Sequence, residues 1–244
     1  MNEKILQKMK QMKLYGMALA FKTSLEDQRI AHLTADEMIA FLIDAECDDR
    51  DNRRISRRIR NARFRYKANV EQIDFEVDRN LDRNLLNRFA ECSYIEKSEN
   101  ILITGSTGIG KSYIASALGN QACMLGYKVL YASCAKLFAL FKMAKADGSY
   151  IRETARIEKQ DLLILDDFGM QPLDSSSRAA LMEIMEDRHG KYSTIITSQL
   201  PVRQWHDVIG EKTIADAVLD RIVHNAHRIE LAGESLRKQQ LSWN

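Results

Sequence analysis

One stretch limits what this chain can fold into: Glu99-Asn100-Ile101-Leu102-Ile103-Thr104-Gly105-Ser106-Thr107-Gly108-Ile109-Gly110-Lys111-Ser112. A short apolar run enters G-x-x-x-x-G-K-S, and Tyr113 to Leu118 continue it as a helical run. Strand, glycine-rich loop and helix in that order predict a phosphate cradle. The glycines let the backbone curl around an anion, and the helix N-terminus adds partial positive charge. The loop residues Gly105, Ser106, Thr107, Gly108, Ile109 and Gly110 would line the cradle. Lys111 would reach the terminal phosphates, and the Ser112 hydroxyl would ligate Mg²⁺. With average glycine usage of about 7%, four such fixed positions coincide by chance in roughly one chain in a hundred of this length. The predicted ligand is a nucleoside triphosphate with Mg²⁺.

The rest of the sequence repeats a strand–helix alternation around that loop. Apolar runs at Lys128–Ala132, Asp161–Asp167, Thr194–Gln199 and Arg228–Leu231 read as strands. Helical runs lie between them, at 134–146, 150–159, 176–188 and 213–223. Alternation of this kind predicts a parallel sheet between helices, with the ligand at the carboxyl ends of the strands. The run Leu162-Leu163-Ile164-Leu165 ends in Asp166 and Asp167, 55 residues after Lys111. A buried strand ending in acids places a carboxylate beside the phosphate loop. Asp166 is expected to hold Mg²⁺ through water, and Asp167, pointing the other way, to polarise the attacking water. At the end of the next strand, Thr197, Ser198 and Gln199 offer polar groups to position that water; the alternative is a polar turn before Pro201.

Before residue 99 the sequence changes character. Residues 1–33 carry apolar side chains at rough helical spacing and predict an amphipathic helix. Thr34-Ala35-Asp36-Glu37 is a capping box that opens another. Between Arg50 and Lys67 stand nine basic residues, Arg50, Arg53, Arg54, Arg57, Arg58, Arg60, Arg63, Arg65 and Lys67, against one acid, Asp51. Arginine bonds phosphate bidentately and stays charged, so the run predicts a DNA-binding helix; the alternative is a solvated charged face. The expected organisation is a helical N-terminal domain over 1–70, a linker and entry helix over 71–98, and the nucleotide domain over 99–244. The boundary is expected between residues 68 and 80.

A net charge of +2 with 45% hydrophobic residues indicates a globular chain with a sizeable core. No apolar run is long enough to span a bilayer. The scattered Cys47, Cys92, Cys123 and Cys134 show no metal-ligand spacing and suit a reducing cytoplasm.

Nearly the whole chain resembles the IstB-like helper ATPases of bacterial insertion sequences, a branch of AAA+ shared with the bacterial helicase loaders. The resemblance rests on Ala45-Glu46 with Arg50 and Arg53-Arg54, Asp74-Phe75, the Gly105–Ser112 loop, Asp147-Gly148, Leu163–Asp167, Thr197-Ser198 and Trp205. Leu219-Asp220-Arg221-Ile222-Val223-His224 and Gly233-Glu234-Ser235 with Arg237 complete it. It implies an AAA+ P-loop NTPase with a five-stranded parallel sheet, preceded by a small all-helical domain. It also implies an ATPase, with ATP at subunit boundaries in a self-associated oligomer, that assembles on double-stranded DNA with a cognate transposase, away from any membrane, and helps select and deliver target DNA. With Asp167 and Gln199 off the family pattern, the expected hydrolysis of ATP is slow and DNA-stimulated. Arg221 matches the arginine that completes a neighbour's site, and Arg237 matches the second sensor. Helices over 134–159 resemble the insertion that lines a nucleic-acid path, with Lys136, Lys142, Lys145, Arg152, Arg156 and Lys159 as contacts. Three positions depart from the family pattern: Asp167 for Glu, Gln199 for Asn, Ser112 for Thr. A helicase loader on the same core and a P-loop small-molecule kinase are the competing readings.

Overall fold

The computed structural model describes residues 2–26 and 33–236. The chain forms two compact units, Met1–Arg57 and Arg58–Asn244. The division falls before the expected boundary because Ile59, Ala62, Phe64, Ala68, Val70 and Ile73 belong to the core of the second unit.

In the first unit, α1 (Asn2–Gln11) and α2 (Tyr15–Glu26) replace the single expected helix. They are separated at Lys13, whose φ of 60° leaves the right-handed helical region. The capping box opens α3 (Ala35–Ala62) as its sequence predicts: Thr34 N–H donates to Glu37 at 2.8 Å and Glu37 N–H to the Thr34 hydroxyl at 3.3 Å. Glu46 on α3 is buried and accepts the N–H groups of Gly16 and Met17, at 2.9 and 3.2 Å, so it caps α2 from outside.

The second unit opens with a linker that carries a 3₁₀ turn at Val70–Gln72. The helices α4 (Arg83–Ala90) and α5 (Ser93–Glu96) follow. Asp82 caps α4 by accepting from Asn84 N–H, which starts this helix two residues before the expected Leu85. The nucleotide core then runs β1 (Asn100–Gly105), α6 (Lys111–Met124), β2 (Val129–Ser133), α7 (Cys134–Asp147), α8 (Tyr150–Glu158), β3 (Leu162–Phe168) and α9 (Ser175–Arg188). It finishes with β4 (Ser193–Ser198), α10 (Trp205–Ile209), α11 (Lys212–Val223) and β5 (Ala226–Leu231).

The five strands form one parallel sheet in the order β2-β3-β4-β1-β5. Their side chains divide between two cores. Ile101 and Ile103 of β1 pack with α6 and the linker, whereas Leu102 packs with residues of α7, α9, α10 and α11. The central strands β1, β3 and β4 are covered on both faces and buried along nearly their whole length, whereas the edge strand β5 alternates buried Ile229 and Leu231 with exposed Arg228 and Glu230. The central strands β1, β3 and β4 deliver the phosphate loop, the paired acids and Gln199 to the same edge of the sheet.

Candidate nucleotide site

The phosphate loop is built as the glycine spacing requires. Gly108 and Gly110 have φ of 84° and 102°, where a side chain is strained. Both are also pressed from outside: a Cβ on Gly108 would lie 2.0 Å from the Ser235 hydroxyl, and one on Gly110 2.7 Å from Arg79. Gly110 caps α6 without a side chain, so the first-turn N–H groups of the helix are offered to an anion instead. The Lys111 ammonium donates to the carbonyls of Gly105 and Ser106, both at 2.8 Å, and so lies along the loop. Leu236 N–H donates to Gly108 carbonyl at 3.0 Å, tying the end of the described chain to the loop. Arg237, expected as a second sensor, lies outside the described residues.

Asp166 is fully buried and accepts from four side chains. Ser112 donates at 2.7 Å, Thr197 at 2.5 Å and Arg65 at 3.2 Å; the Tyr131 hydroxyl donates as well. Burial and the Asp166 carboxylate on its hydroxyl hold the Tyr131 phenol well above its ordinary pKa, so it remains a donor. Ser112 and Asp166 are hard oxygen groups in mutual contact, the donor set that suits Mg²⁺. Among the described residues no group of three or more His, Cys, Asp or Glu could hold a metal. In nucleotide sites Mg²⁺ takes one or two protein oxygens and fills its shell with phosphate and water.

Asp167 departs from the expected alternation. The pairing of β3 with β4 shifts register between Leu165 and Phe168, and Asp167 has φ of 59°, a conformation Asp tolerates. Instead of pointing away from Asp166, it turns its carboxylate to the same partner, Arg65, at 2.9 Å. Its N–H donates to the Thr197 hydroxyl at 3.1 Å. Gln199 accepts from the Thr107 hydroxyl at 2.6 Å, which joins the end of β4 to the phosphate loop. Thr107, Gly108, Gly110, Lys111, Ser112, Asp167 and Gln199 line one cavity of about 400 Å³, together with Arg65, Tyr66 and Tyr113.

Arg65 is the main departure from the sequence reading. It belongs by sequence to the arginine run expected to bind DNA, yet it lies three residues beyond the end of α3 and bridges both acids of the nucleotide site. Partial burial works against its charge, but Tyr66, Asp166 and Asp167 outweigh that and hold the guanidinium above its ordinary pKa. Other members of the run are also engaged. Arg50 pairs with Glu46 at 2.7 Å, Arg53 with Asp49 at 2.7 Å and Arg54 with Asp51 at 3.0 Å. Two of those acids stand one helical turn upstream, outside the window in which the sequence shows only Asp51. Arg57, Arg60, Arg63 and Lys67 are exposed, and Arg58 is half-buried.

Two further residues carry the site without a signal in the sequence. Tyr131 looks like one more apolar strand residue. Arg79 stands in a polar linker, yet it is buried and donates to Asp74 carbonyl at 2.6 Å and Ile109 carbonyl at 3.3 Å, bracing the loop from behind.

Arg221 lies elsewhere. Asn100, the first residue of β1, donates to the carbonyls of Arg221 and Ile222, at 3.3 and 3.1 Å. The phosphate loop leaves the other end of β1, about 16 Å further along at the usual rise per residue. The Arg221 guanidinium pairs with Glu186 and donates to Ala217 carbonyl at 2.9 Å.

This arrangement has known relatives. Residues 7–243 match the model of the IstB-like ATP binding proteins. The chain belongs to that family. A putative insertion sequence ATP-binding protein of Sinorhizobium fredii is 44% identical over 96% of both chains. Among solved structures, DnaI superposes with a TM-score of 0.60 at 25% identity, over 68% of this chain and 92% of that one. AMPPCP-bound DnaA from Aquifex aeolicus superposes with a TM-score of 0.58 at 19% identity, over 74% of this chain and 56% of that one, and shows the shared AAA+ fold. The IstB-like chain is thus an ATP-binding AAA+ ATPase of the insertion-sequence type. Among its described residues, no helix is long and apolar enough to cross a membrane.

Proposed function

We propose that this IstB-like chain is a DNA-stimulated ATPase of the cytoplasm that assembles on double-stranded DNA and delivers target DNA to a transposase. The observation that carries the reading is the position of Arg221, at the end of β1 opposite to the phosphate loop. An arginine so placed cannot serve its own site, but it can complete that of another copy. Head-to-tail association of identical chains then puts each ATP between two subunits.

Within that site each side chain has a distinct task. The loop N–H groups and Lys111 bind the phosphates. Ser112 and Asp166 would hold Mg²⁺, which would supply positive charge against the charge that develops on the transferring phosphoryl group. Asp167 orients and polarises the attacking water, and Gln199, fixed by Thr107, positions it from β4. Arg221 of the next copy stabilises charge on the γ-phosphoryl group. The exposed arginines of α3 and the lysines of α7 supply contacts to the DNA backbone.

The test is complementation between dead subunits. Lys111→Ala and Arg221→Ala should each abolish DNA-stimulated phosphate release. An equal mixture should regain it at roughly a quarter of the interfaces, where an intact Lys111 meets an intact Arg221. No recovery on mixing, with both variants folded, would sink the shared-site reading. An ATP-controlled complex with a replicative helicase would favour the loader reading instead.

A further inference from the structure

A second cavity lies beside the nucleotide site. It has a volume of about 640 Å³ and is lined by the cations Arg63, Arg65, Lys136 and Arg156, with Asp167 as its one acid. The two cavities share Arg65 and Asp167 in their linings and no other residue. One guanidinium therefore stands between a site that takes a triphosphate and a cleft whose charge suits another anion.

The chain holds Arg65 in that position by a short anchored arm. Arg63, with φ of 61°, takes the chain out of α3. Phe64 then packs edge-on against Tyr131, with ring centroids 6.4 Å apart. Arg65 follows directly, with Nη1 at 2.9 Å from Asp167 and 3.2 Å from Asp166. The side chain remains 44% exposed, with its guanidinium 5.6 Å from the centroid of the Tyr66 ring, so part of it can still meet a second partner. Of the remaining cations in the cleft, Arg156 is partly offset by Glu153 at 3.1 Å. Arg63 and Lys136 are exposed and make no ion pair among the described residues.

We propose that the cleft binds a backbone phosphate of DNA, and that this phosphate draws Arg65 away from Asp166 and Asp167. While Arg65 holds both carboxylates, the acid that would hold Mg²⁺ and the acid that polarises water are both engaged. A phosphate in the cleft offers Arg65 a bidentate partner. Its arrival frees the two acids, so Arg65 is the positioning residue through which DNA sets the rate of hydrolysis. The inference rests on the reading of the chain as a DNA-stimulated ATPase.

The test is ATP turnover by the full chain, with and without duplex DNA, titrated with Mg²⁺. Arg65→Ala should raise the DNA-free rate about tenfold, the equivalent of one charge-assisted hydrogen bond, and lower the Mg²⁺ concentration for half-maximal rate. Added DNA should then stimulate that variant little further. Arg65→Gln, which keeps a polar side chain of similar reach, should behave alike and guards against a folding defect in the first variant. Arg63→Glu with Lys136→Glu should bring the stimulation ratio, taken against that variant's own DNA-free rate, down to about 1. If both Arg65 variants bind ATP but turn over more slowly than wild type without DNA, Arg65 is a phosphate contact and the proposal is overturned. It is equally overturned if inorganic sulfate or polyglutamate stimulates wild type as well as DNA does. A wild-type chain that binds no DNA overturns the proposed function itself. A wild type that DNA stimulates, with Arg65 variants that respond in the same way, overturns only the role of Arg65.

Discussion

The hydroxyl of Thr197 is shared with both acids of the site: it donates to Asp166 at 2.5 Å and accepts the N–H of Asp167 at 3.1 Å. One buried side chain on β4 therefore fixes the carboxylate of one acid and the backbone of the next. Thr197→Val keeps the shape and removes the hydroxyl. It leaves the half-buried Asp167 N–H without its acceptor and the buried Asp166 one donor short, at a cost of about 1–3 kcal/mol in stability. Thr197→Ser should restore most of that. Denaturant midpoints of the two variants, measured with phosphate release, check both statements.

Asp167 holds a left-handed backbone conformation that Asp accepts more readily than Glu. The shorter acid is therefore matched to the bulged strand end that carries it. Asp167→Asn should retain ATP binding and lose about 10²–10⁴ in turnover, the usual share of a general base. Asp167→Glu should gain no rate, because the longer side chain must strain the bulge. Single-turnover phosphate release with ATP-binding isotherms separates the two steps. Unchanged turnover in Asp167→Asn would show that another group activates the water.

Much of this site is legible in the sequence, for a physical reason. The phosphate loop and the strand that ends in Asp166 are local: their residues act within one turn or one strand, so spacing alone reveals them. The parallel sheet is legible because strands covered on both faces must be continuously apolar. Arg65 is not legible in the same way, because its partners are about a hundred positions away and its neighbours in sequence are a run of look-alike arginines. The bulge at Asp166–Asp167 leaves no trace either, since the residue it requires is an ordinary Asp. The break between α1 and α2 is hidden because a Lys, not a Gly, carries the positive φ. Tyr131 and Arg79 show the same limit: each acts through a contact that only the folded chain creates.

Glu46 makes the first unit sensitive to acid. Burial raises its pKa, but Arg50 and the N–H groups of Met17 and Gly16 outweigh that and hold it below its ordinary value of 4.5. A carboxylate with a depressed pKa contributes stability above its unfolded pKa and loses it as the pH falls through the folded value. Amide exchange at Gly16 and Met17 should therefore stay slow at neutral pH and accelerate as the pH drops below about 4.5, beyond the intrinsic trend. Glu46→Gln should lose about 1 kcal/mol of that protection already at pH 7, the usual value of a helix cap. Equal protection in the variant would mean that α2 needs no cap from α3.

The four cysteines should divide sharply in reactivity. Cys47 is exposed, whereas Cys92, Cys123 and Cys134 are buried. Burial pushes the Cys92 thiol up to about 11 and the Cys123 thiol up to about 12, and raises Cys134 as well. Since the thiolate is the nucleophile, both access and ionisation protect these three. Alkylation of the native protein at pH 8 should add one label per chain, at Cys47, as read by intact mass and peptide mapping. Cys134 opens α7 directly after β2, close to the strand end that carries the paired acids. Labelling there on addition of nucleotide or DNA would report that this part of the nucleotide core opens during turnover, and continued protection would show that it remains closed.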